Sequence, residues 1–309
     1  MDPELAALVA LLPVYEPGSP DESRARARAY TAARPDVPGR AALHVTDQLV
    51  PGPSGGDSVR VRVYRRRADG PPRPAVVYIH GGGFIAGDLE TEELRCVRFA
   101  AEAGCVVVSV DYRLAPEHRY PAAVDDCYAA LSWTTASAAE LGVDPVRIGV
   151  AGASSGGNLA AATALLARDR GKPAIAFQLL VYPTLDDRRQ TVSQQFVGTP
   201  MVDGSDCERC WEYYLGADHR DVSPYAAPGR AADLNGLPPT YLMTAELDPL
   251  RDEGIEFATR LLGAGVSVDL HQFAGTFHGF DLFPTAISQR ALDEQVAWLE
   301  SITRSEGGT

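Results

Sequence analysis

Residues 147–170 read RIGVAGASSGGNLAAATALLARDR, and this stretch decides the fold. A short apolar run enters a glycine-rich turn, and an Ala- and Leu-rich stretch typical of a helix follows at once. The turn has the pattern Gly-x-Ser-x-Gly, with Ser154 between Gly152 and Gly156. Between a strand and a helix, this pattern predicts a nucleophile elbow, whose small flanking residues permit a tight turn that exposes the serine hydroxyl. A plain glycine-rich helix start is the alternative.

Other short apolar runs alternate with helical stretches on both sides of this segment. Uninterrupted runs rich in Val and Ile suit strands covered on both faces, and their alternation with helices predicts a parallel sheet. Two earlier runs alternate apolar with polar residues, which predicts an antiparallel opening pair. In chain order the runs are LHVTDQLV, SVRVRVYRR, AVVYIH, CVVVSVDY, RIGVAG, IAFQLLVYP, TYLMTAE and VDLHQF. The fold class is therefore α/β.

The length of 309 residues fits one catalytic domain with smaller additions. Residues 1–42 lack a strand pattern and are predicted to be an appended helical segment. The interval before TYLMTAE is too long for a simple crossover, which predicts a helical insertion over residues 185–222. The core is then expected to comprise residues 43–184 and 223–309.

The amino-acid composition is that of an acidic globular protein. It holds 41 acidic and 28 basic residues, for a net charge of −13. Such a surface repels nucleic acid and anionic membranes, so neither is expected as a partner. The N-terminus lacks a basic region and a cleavage site, and no apolar run reaches the roughly 18 residues of a membrane span. We therefore expect a cytoplasmic location.

Five cysteines are an odd number for a disulfide scaffold and favour a reducing compartment. They are Cys96, Cys105, Cys127, Cys207 and Cys210. The last two form a lone C-x-x-C without a second pair or a nearby histidine. We interpret that spacing as incidental, with a redox or metal site as the alternative.

A second motif, His80-Gly81-Gly82-Gly83-Phe84, closes the AVVYIH run. Consecutive glycines allow backbone N–H groups to point at a developing oxyanion. We expect Gly82 and Gly83, together with the N–H of Ser155, to form an oxyanion hole. His80 is expected to hold the loop by hydrogen bonding; a catalytic base at His80 and a merely flexible turn are the alternatives.

A histidine in a Gly-flanked loop follows the last strand run. This residue, His278, is the expected base, because it lies beyond the strand end where the loop can reach over the sheet edge. His271 lies inside the run and is expected to be structural. A serine hydroxyl needs such an imidazole to take its proton before it becomes a good nucleophile.

The orienting carboxylate is expected in the loop after TYLMTAE. Asp248 comes just after the strand end, and the order serine, aspartate, histidine is that of α/β-hydrolases. Glu246 is the next candidate. Asp252 and Glu253 are expected in the first turn of the following helix, where the helix dipole favours acids. A buried carboxylate would fix the tautomer of the base.

Five motifs together resemble those of the hormone-sensitive-lipase-like esterases, the bacterial family IV group. They are HGGGF from His80, DYRLAPEHRYPAAVDD from Asp111, the elbow, DPLRDEG from Asp248 and FHGF from Phe277. The resemblance implies an α/β-hydrolase fold: a mostly parallel eight-stranded sheet flanked by helices, with a helical cap formed by the N-terminal segment and the insertion. It also implies short- to medium-chain acyl esters as substrates and supports the same oxyanion donors.

The elbow departs from the usual family patterns G-D-S-A-G and G-T-S-A-G, because Ala153 and Ser155 flank the serine. We expect this to alter substrate preference and to preserve activity. Two further groups are interpreted as structural. Four residues of the DYRLAPEH block are expected to pair with one another: Tyr112, Arg113, Glu117 and His118. Three aromatics of the insertion are expected in the cap core, with a substrate pocket as the alternative: Trp211, Tyr213 and Tyr214.

These observations predict a serine carboxylesterase that acts through an acyl-enzyme and needs no cofactor or metal. The expected partner is a small-molecule ester, and a homodimer is possible by analogy with the family. An amide, carbamate or lactone hydrolase would use the same machinery and is the first alternative. A non-catalytic ligand-binding protein on the same scaffold is the second, and the presence of His278 argues against it.

Overall fold

The computed structural model describes residues 1–11, 19–33, 37–67, 70–216 and 221–304. Parts of the predicted segments therefore lie outside the described residues. These parts are 12–18 and 34–36 of the N-terminal segment, 217–220 of the insertion, and 68–69 and 305–309 of the core.

Eight strands of the described residues form one sheet, in the spatial order β1-β2-β4-β3-β5-β6-β7-β8. The strands are β1 Leu43–Val50, β2 Val59–Arg66, β3 Arg73–Ile79, β4 Val106–Asp111, β5 Val143–Ala153, β6 Gln178–Val181, β7 Thr240–Ala245 and β8 Val268–Phe273. β2 is antiparallel to both of its neighbours, β1 and β4. All other pairs are parallel. The predicted α/β-hydrolase sheet, with its antiparallel opening pair, is confirmed.

Helices cover both faces of this sheet. In the described residues they are α1 Pro3–Val9, α2 Pro20–Ala32, α3 Glu93–Ala101, α4 Ala122–Ala136, α5 Ala138–Leu141, α6 Ser155–Arg170, α7 Gly204–Leu215, α8 Arg251–Gly263 and α9 Ala286–Ile302. α4, α6 and α8 contribute to one apolar core, and α3 and α9 contribute to the other. Alternate residues of β3 divide between the two cores, with Val77 in the first and Tyr78 in the second. The sheet therefore separates two packed layers.

The parallel strands end at the edge where the predicted site residues lie. β5 runs directly into α6 through Ser154, and the loops after β7 and β8 carry Asp248 and His278. The loop after β3 carries the three glycines. Ligands of open α/β sheets gather at this carboxyl edge.

The expectation that four residues of the DYRLAPEH block pair with one another is wrong. Arg113 instead forms an ion pair with Asp126 on α4, at 2.7 Å. Glu117 accepts two hydrogen bonds from Arg24 of α2, at 2.7 and 2.6 Å. The block therefore connects to α2 through a partner 93 residues away in the sequence and to α4 through a partner 13 residues away.

Candidate active site

Ser154 sits at a strained turn between β5 and α6. Its backbone has φ 56° and ψ −121°, a conformation that costs energy for a residue with a side chain. The flanking glycines are required by close approach: a Cβ on Gly152 would collide with the carbonyl of Gly156, and a Cβ on Gly156 would collide with that of Ile79. The predicted elbow thus has the geometry that presents its hydroxyl beyond the sheet edge.

Three predicted residues meet at this edge in a hydrogen-bonded row. The Oγ atom of Ser154 lies 3.0 Å from Nε2 of His278. Nδ1 of the same ring lies 2.8 Å from Oδ2 of Asp248. An ionised carboxylate can only accept, so Nδ1 carries a proton and Nε2 is left as the acceptor for the serine hydroxyl. This is the tautomer that a general base needs.

The surroundings of His278 favour its charged form. Burial, the largest single influence, lowers the pKa of His278, but the carboxylates of Asp248, Asp281 and Glu92 together raise it by more, so the pKa lies above its ordinary value. Asp248 is itself fully buried, and its other oxygen accepts the N–H of Leu250 at 2.8 Å. The carboxylate is thus held from both sides, which fixes the plane of the imidazole.

The other candidate acids have different partners. Glu246 accepts the N–H of Gly275 at 2.5 Å, in the loop that leads to His278. Asp252 and Glu253 lie in the first turn of α8, as expected, and accept backbone N–H groups of residues 193 and 185. His271 bonds to Glu294 of α9, at 2.9 Å, in a structural role. Only Asp248 among these acids bonds to His278 within the described part of the chain.

The glycine loop after β3 turns tightly beside the serine. Gly82 and Gly83 have φ values of 126° and 62°, and the carbonyl of Gly82 accepts the N–H groups of Ile85 and Ala86. Among the described residues, no acceptor occupies the N–H of Gly82 or Gly83. Ser155 is the first residue of α6, where helix N–H groups have no partner within the helix. Three backbone donors are therefore available near the elbow.

His80 supports this loop. Its Nδ1 atom lies 2.8 Å from the carbonyl oxygen of Gly81, and its ring stacks on that of Tyr112 at 4.3 Å between centroids. The hydroxyl of Tyr112 donates to the His80 carbonyl at 3.1 Å. These contacts match the supporting role expected for His80, and the ring nitrogen that meets Ser154 belongs to His278.

Helix α7 of the insertion covers the glycine loop. Phe84 stacks on Tyr214 at 4.0 Å between ring centroids and lies 5.5 Å from Trp211. Of the three aromatic rings of α7, those of Trp211 and Tyr214 are buried and that of Tyr213 is half-buried. Cys210 lies directly against Gly83, since a Cβ on that glycine would collide with its Sγ. Burial raises the pKa of the Cys210 thiol to about 12.

Sequence reasoning missed two charged residues that hold the glycine loop. Arg24 donates to the carbonyls of Ile85 and Ala115, at 2.8 and 2.9 Å. Glu92 accepts the N–H of Gly81 at 2.8 Å. Neither residue belongs to a motif, and charged residues on predicted helices are usually solvated. Only the three-dimensional arrangement reveals them.

The arrangement as a whole suits acyl transfer, because it joins a nucleophile, a base and backbone donors. The described residues contain no cluster of three or more His, Cys, Asp or Glu side chains that could hold a metal ion. No helix in the described ranges is long and apolar enough to cross a bilayer.

Comparison with known proteins identifies relatives over most of the chain. A family model described as alpha/beta hydrolase fold matches residues 76–282. The carboxylesterase NlhH of Mycobacterium tuberculosis is 41% identical over 298 residues, which cover 94% of this chain and 92% of that protein. The esterase LipI of the same organism is 42% identical over 249 residues, covering 80% of this chain and 78% of LipI.

Solved structures agree with this grouping. A protein described as a bacterial heroin esterase superposes with a TM-score of 0.94 at 47% identity, covering 99% of this chain and 98% of its own. An esterase from the archaeon Pyrobaculum calidifontis superposes with a TM-score of 0.88 at 38% identity, covering 99% of each chain. The resemblance to hormone-sensitive-lipase-like esterases is thereby confirmed.

Proposed function

The chain belongs to the alpha/beta-hydrolase family and is a carboxylic-ester hydrolase, and from this premise we propose that it works through a Ser154–His278–Asp248 triad. One observation carries the proposal: a single imidazole bonds Ser154 Oγ at 3.0 Å and the buried Asp248 carboxylate at 2.8 Å. This is the geometry in which a histidine can take a proton from serine and remain stabilised as it becomes charged.

The reaction proceeds in two halves. Ser154 attacks the ester carbonyl carbon while Nε2 of His278 accepts the hydroxyl proton. The tetrahedral intermediate collapses to an acyl-serine as His278 returns that proton to the departing alkoxide, which leaves as the alcohol. Water then attacks the acyl-serine with the same proton transfers, and the carboxylic acid is released.

The negative oxygen of each tetrahedral intermediate is proposed to lie among the N–H groups of Gly82, Gly83 and Ser155. Each donor of this kind is worth about 3 kcal/mol in the transition state. The positive φ values of the two glycines support this role, because they turn consecutive N–H groups without interference from side chains. Glu92 holds the N–H of the preceding Gly81, so that donor faces away from the substrate.

A cap over the site would limit the substrate. We propose that residues 1–42 and 185–222 form this cap over core segments 43–184 and 223–309. Arg24 of α2 and the aromatic rings of α7 both contact the loop at residues 84–85, which supports that boundary. A covered glycine loop favours short- to medium-chain acyl groups over long ones.

The test is hydrolysis of p-nitrophenyl acetate, butyrate, octanoate and palmitate by the wild type and by Ser154→Ala. We expect rapid turnover of the short esters, a burst of p-nitrophenol from acyl-enzyme formation, and loss of both in the variant. Ser155→Ala removes the neighbouring hydroxyl while it keeps the backbone donor, and it should retain measurable turnover. Turnover that survives in folded Ser154→Ala would refute the assignment of the nucleophile.

A further inference from the structure

A buried cluster of charged residues lies behind the glycine loop. Glu92 precedes α3, but its side chain makes no capping bond to that helix. The carboxylate turns inward, where Oε1 accepts the N–H of Gly81 at 2.8 Å and Oε2 accepts the hydroxyl of Tyr78 and Nη1 of Arg95. A glutamate at a helix start ordinarily interacts with that helix. Here one carboxylate oxygen bonds to the glycine loop, and the other bonds to Tyr78 on β3 and to the side chain of Arg95 on α3.

Arg95 extends the cluster from α3 to the other side of the site. Its Nη2 donates to Asp281, and its Nε donates to Gln295 of α9 at 3.0 Å. Asp281 lies in the short turn Phe280–Leu282, which follows His278 at once. Arg95 is only 3% exposed, and the side chain of Asp281 is fully buried, so water does not screen the pair. One guanidinium thus connects the two loops that flank the nucleophile.

The cluster reaches the base through an aromatic ring. The other oxygen of Asp281 accepts the hydroxyl of Tyr182 at 2.7 Å. The Tyr182 ring packs against the imidazole of His278, with centroids 4.5 Å apart. A continuous chain of bonds and contacts therefore runs from the backbone of Gly81 to His278.

From these contacts we propose that Glu92, Arg95 and Asp281 are positioning residues. They hold the glycine loop after β3 and the loop after β8, which carries His278, in fixed positions relative to each other. The proposal rests on the proposed triad and oxyanion hole. Glu92 fixes the peptide that precedes Gly82, and Asp281 fixes the turn that follows His278. Arg95 joins them, so that displacement of one loop strains the other.

The same cluster sets the charge around the base. Glu92 and Asp281 carry two negative charges against the single positive charge of Arg95. The charged and titratable groups near His278 are Asp248 after β7, Asp281 in the turn after His278, Glu92 just before α3, Arg95 on α3, and Tyr182 after β6. Both carboxylates of the cluster add to the effect of Asp248 in favouring the imidazolium. The same three residues therefore both position the two loops and favour the charged form of His278.

A buried ion cluster that serves folding alone would predict something different. Its disruption would lower thermal stability but leave the folded fraction with ordinary kinetics. Positioning residues change the kinetics of the folded enzyme, because a displaced donor weakens binding of the transition state more than binding of the substrate. The two roles are therefore separable by kcat, KM and the pH profile.

The experiment compares Glu92→Gln and Asp281→Asn with a matched control, Asp126→Asn. Each variant replaces a buried carboxylate that is bound to one arginine, but Asp126 on α4 pairs with Arg113 in the loop after β4, outside the cluster. Both cluster variants should lower kcat for p-nitrophenyl acetate by about 10- to 100-fold, with KM changed less than about threefold. The acid limb of kcat/KM should move down by about half a pH unit or more. The control should do neither.

Either cluster variant with wild-type kcat and an unmoved acid limb, measured on folded protein, would overturn the proposal. A loss of thermal stability equal to that of Asp126→Asn, without the kinetic changes, would assign the cluster to folding. If a substitution prevents folding, Gln295→Ala is the second variant, because it frees one bond of Arg95 and should give a smaller loss of kcat. An error in the proposed triad would show differently: the Ser154→Ala variant, in which Glu92, Arg95 and Asp281 are unchanged, would then retain turnover.

Discussion

Replacement of Asp248 by asparagine tests the site most directly, because the surrounding backbone dictates how the new amide must lie. In the wild type, one oxygen accepts the N–H of Leu250 at 2.8 Å and the other accepts Nδ1–H of His278 at 2.8 Å. In Asp248→Asn the amide oxygen is retained by Leu250, since an NH2 group there would face another donor. The NH2 group is then turned toward His278.

The imidazole must respond by changing tautomer. Nδ1 becomes the acceptor and the proton moves to Nε2, which faces Ser154 and can no longer take its proton. The wrong tautomer costs about 10³- to 10⁴-fold in kcat, or about 4 to 5 kcal/mol. The loss concerns chemistry rather than substrate binding, so KM should change little.

The assay is steady-state hydrolysis of p-nitrophenyl acetate across pH, with folding checked by circular dichroism. Glu246→Gln is the matched control, because the glutamine can still accept the N–H of Gly275 and should stay within about threefold of wild type. A folded Asp248→Asn variant within tenfold of wild-type kcat would refute the reasoning. Collapse of Glu246→Gln with retention of Asp248→Asn would assign the acid to residue 246.

Three further outcomes follow from the geometry. Because the pKa of His278 is raised and only the neutral ring is a base, kcat/KM should fall as pH drops through a midpoint above the ordinary histidine range of about 6.5; a flat profile from pH 8 to pH 5 would contradict this base. Gly83→Ala should lower kcat/KM by about tenfold or more because a Cβ meets Cys210, whereas Gly142→Ala, with a similar φ but open space around it, should leave the kinetics unaltered. Iodoacetamide should inactivate the enzyme slowly at pH 7 and faster at pH 9, because burial raises the pKa of Cys210 to about 12, and Cys210→Ala should resist it; equal inactivation of both would place the sensitive thiol elsewhere.

Local pattern was sufficient for the sheet and for bringing together the three residues that we propose as the triad. The run CVVVSVDY at residues 105–112 contains β4 at residues 106–111, since β-branched content is a local property. The elbow was predictable because steric crowding admits only glycine at positions 152 and 156. The positions just beyond two strand ends then indicated Asp248 and His278 as candidates.

Partners of buried charges were not predictable, because nothing in the local pattern specifies them. Arg95 and Asp281 are 186 positions apart in the chain. Glu117 looked ready to pair within its own block, yet its partner is Arg24 on an N-terminal helix. A long-range ion pair depends on the packing of helices against the sheet, which the fold class alone does not determine.

The attachment of α2 has a consequence for heat and denaturants. None of its residues is buried, and Arg24 and Tyr30 connect it to the carbonyls of Ile85 and Leu282, one in each catalytic loop. Surface hydrogen bonds of this kind open at a far lower free energy than a packed core. We therefore expect warming to release this helix first, while the buried cluster of Glu92, Arg95 and Asp281 still holds the two loops and the sheet stays intact. A rise in temperature should then uncover the two loops before it disturbs the core.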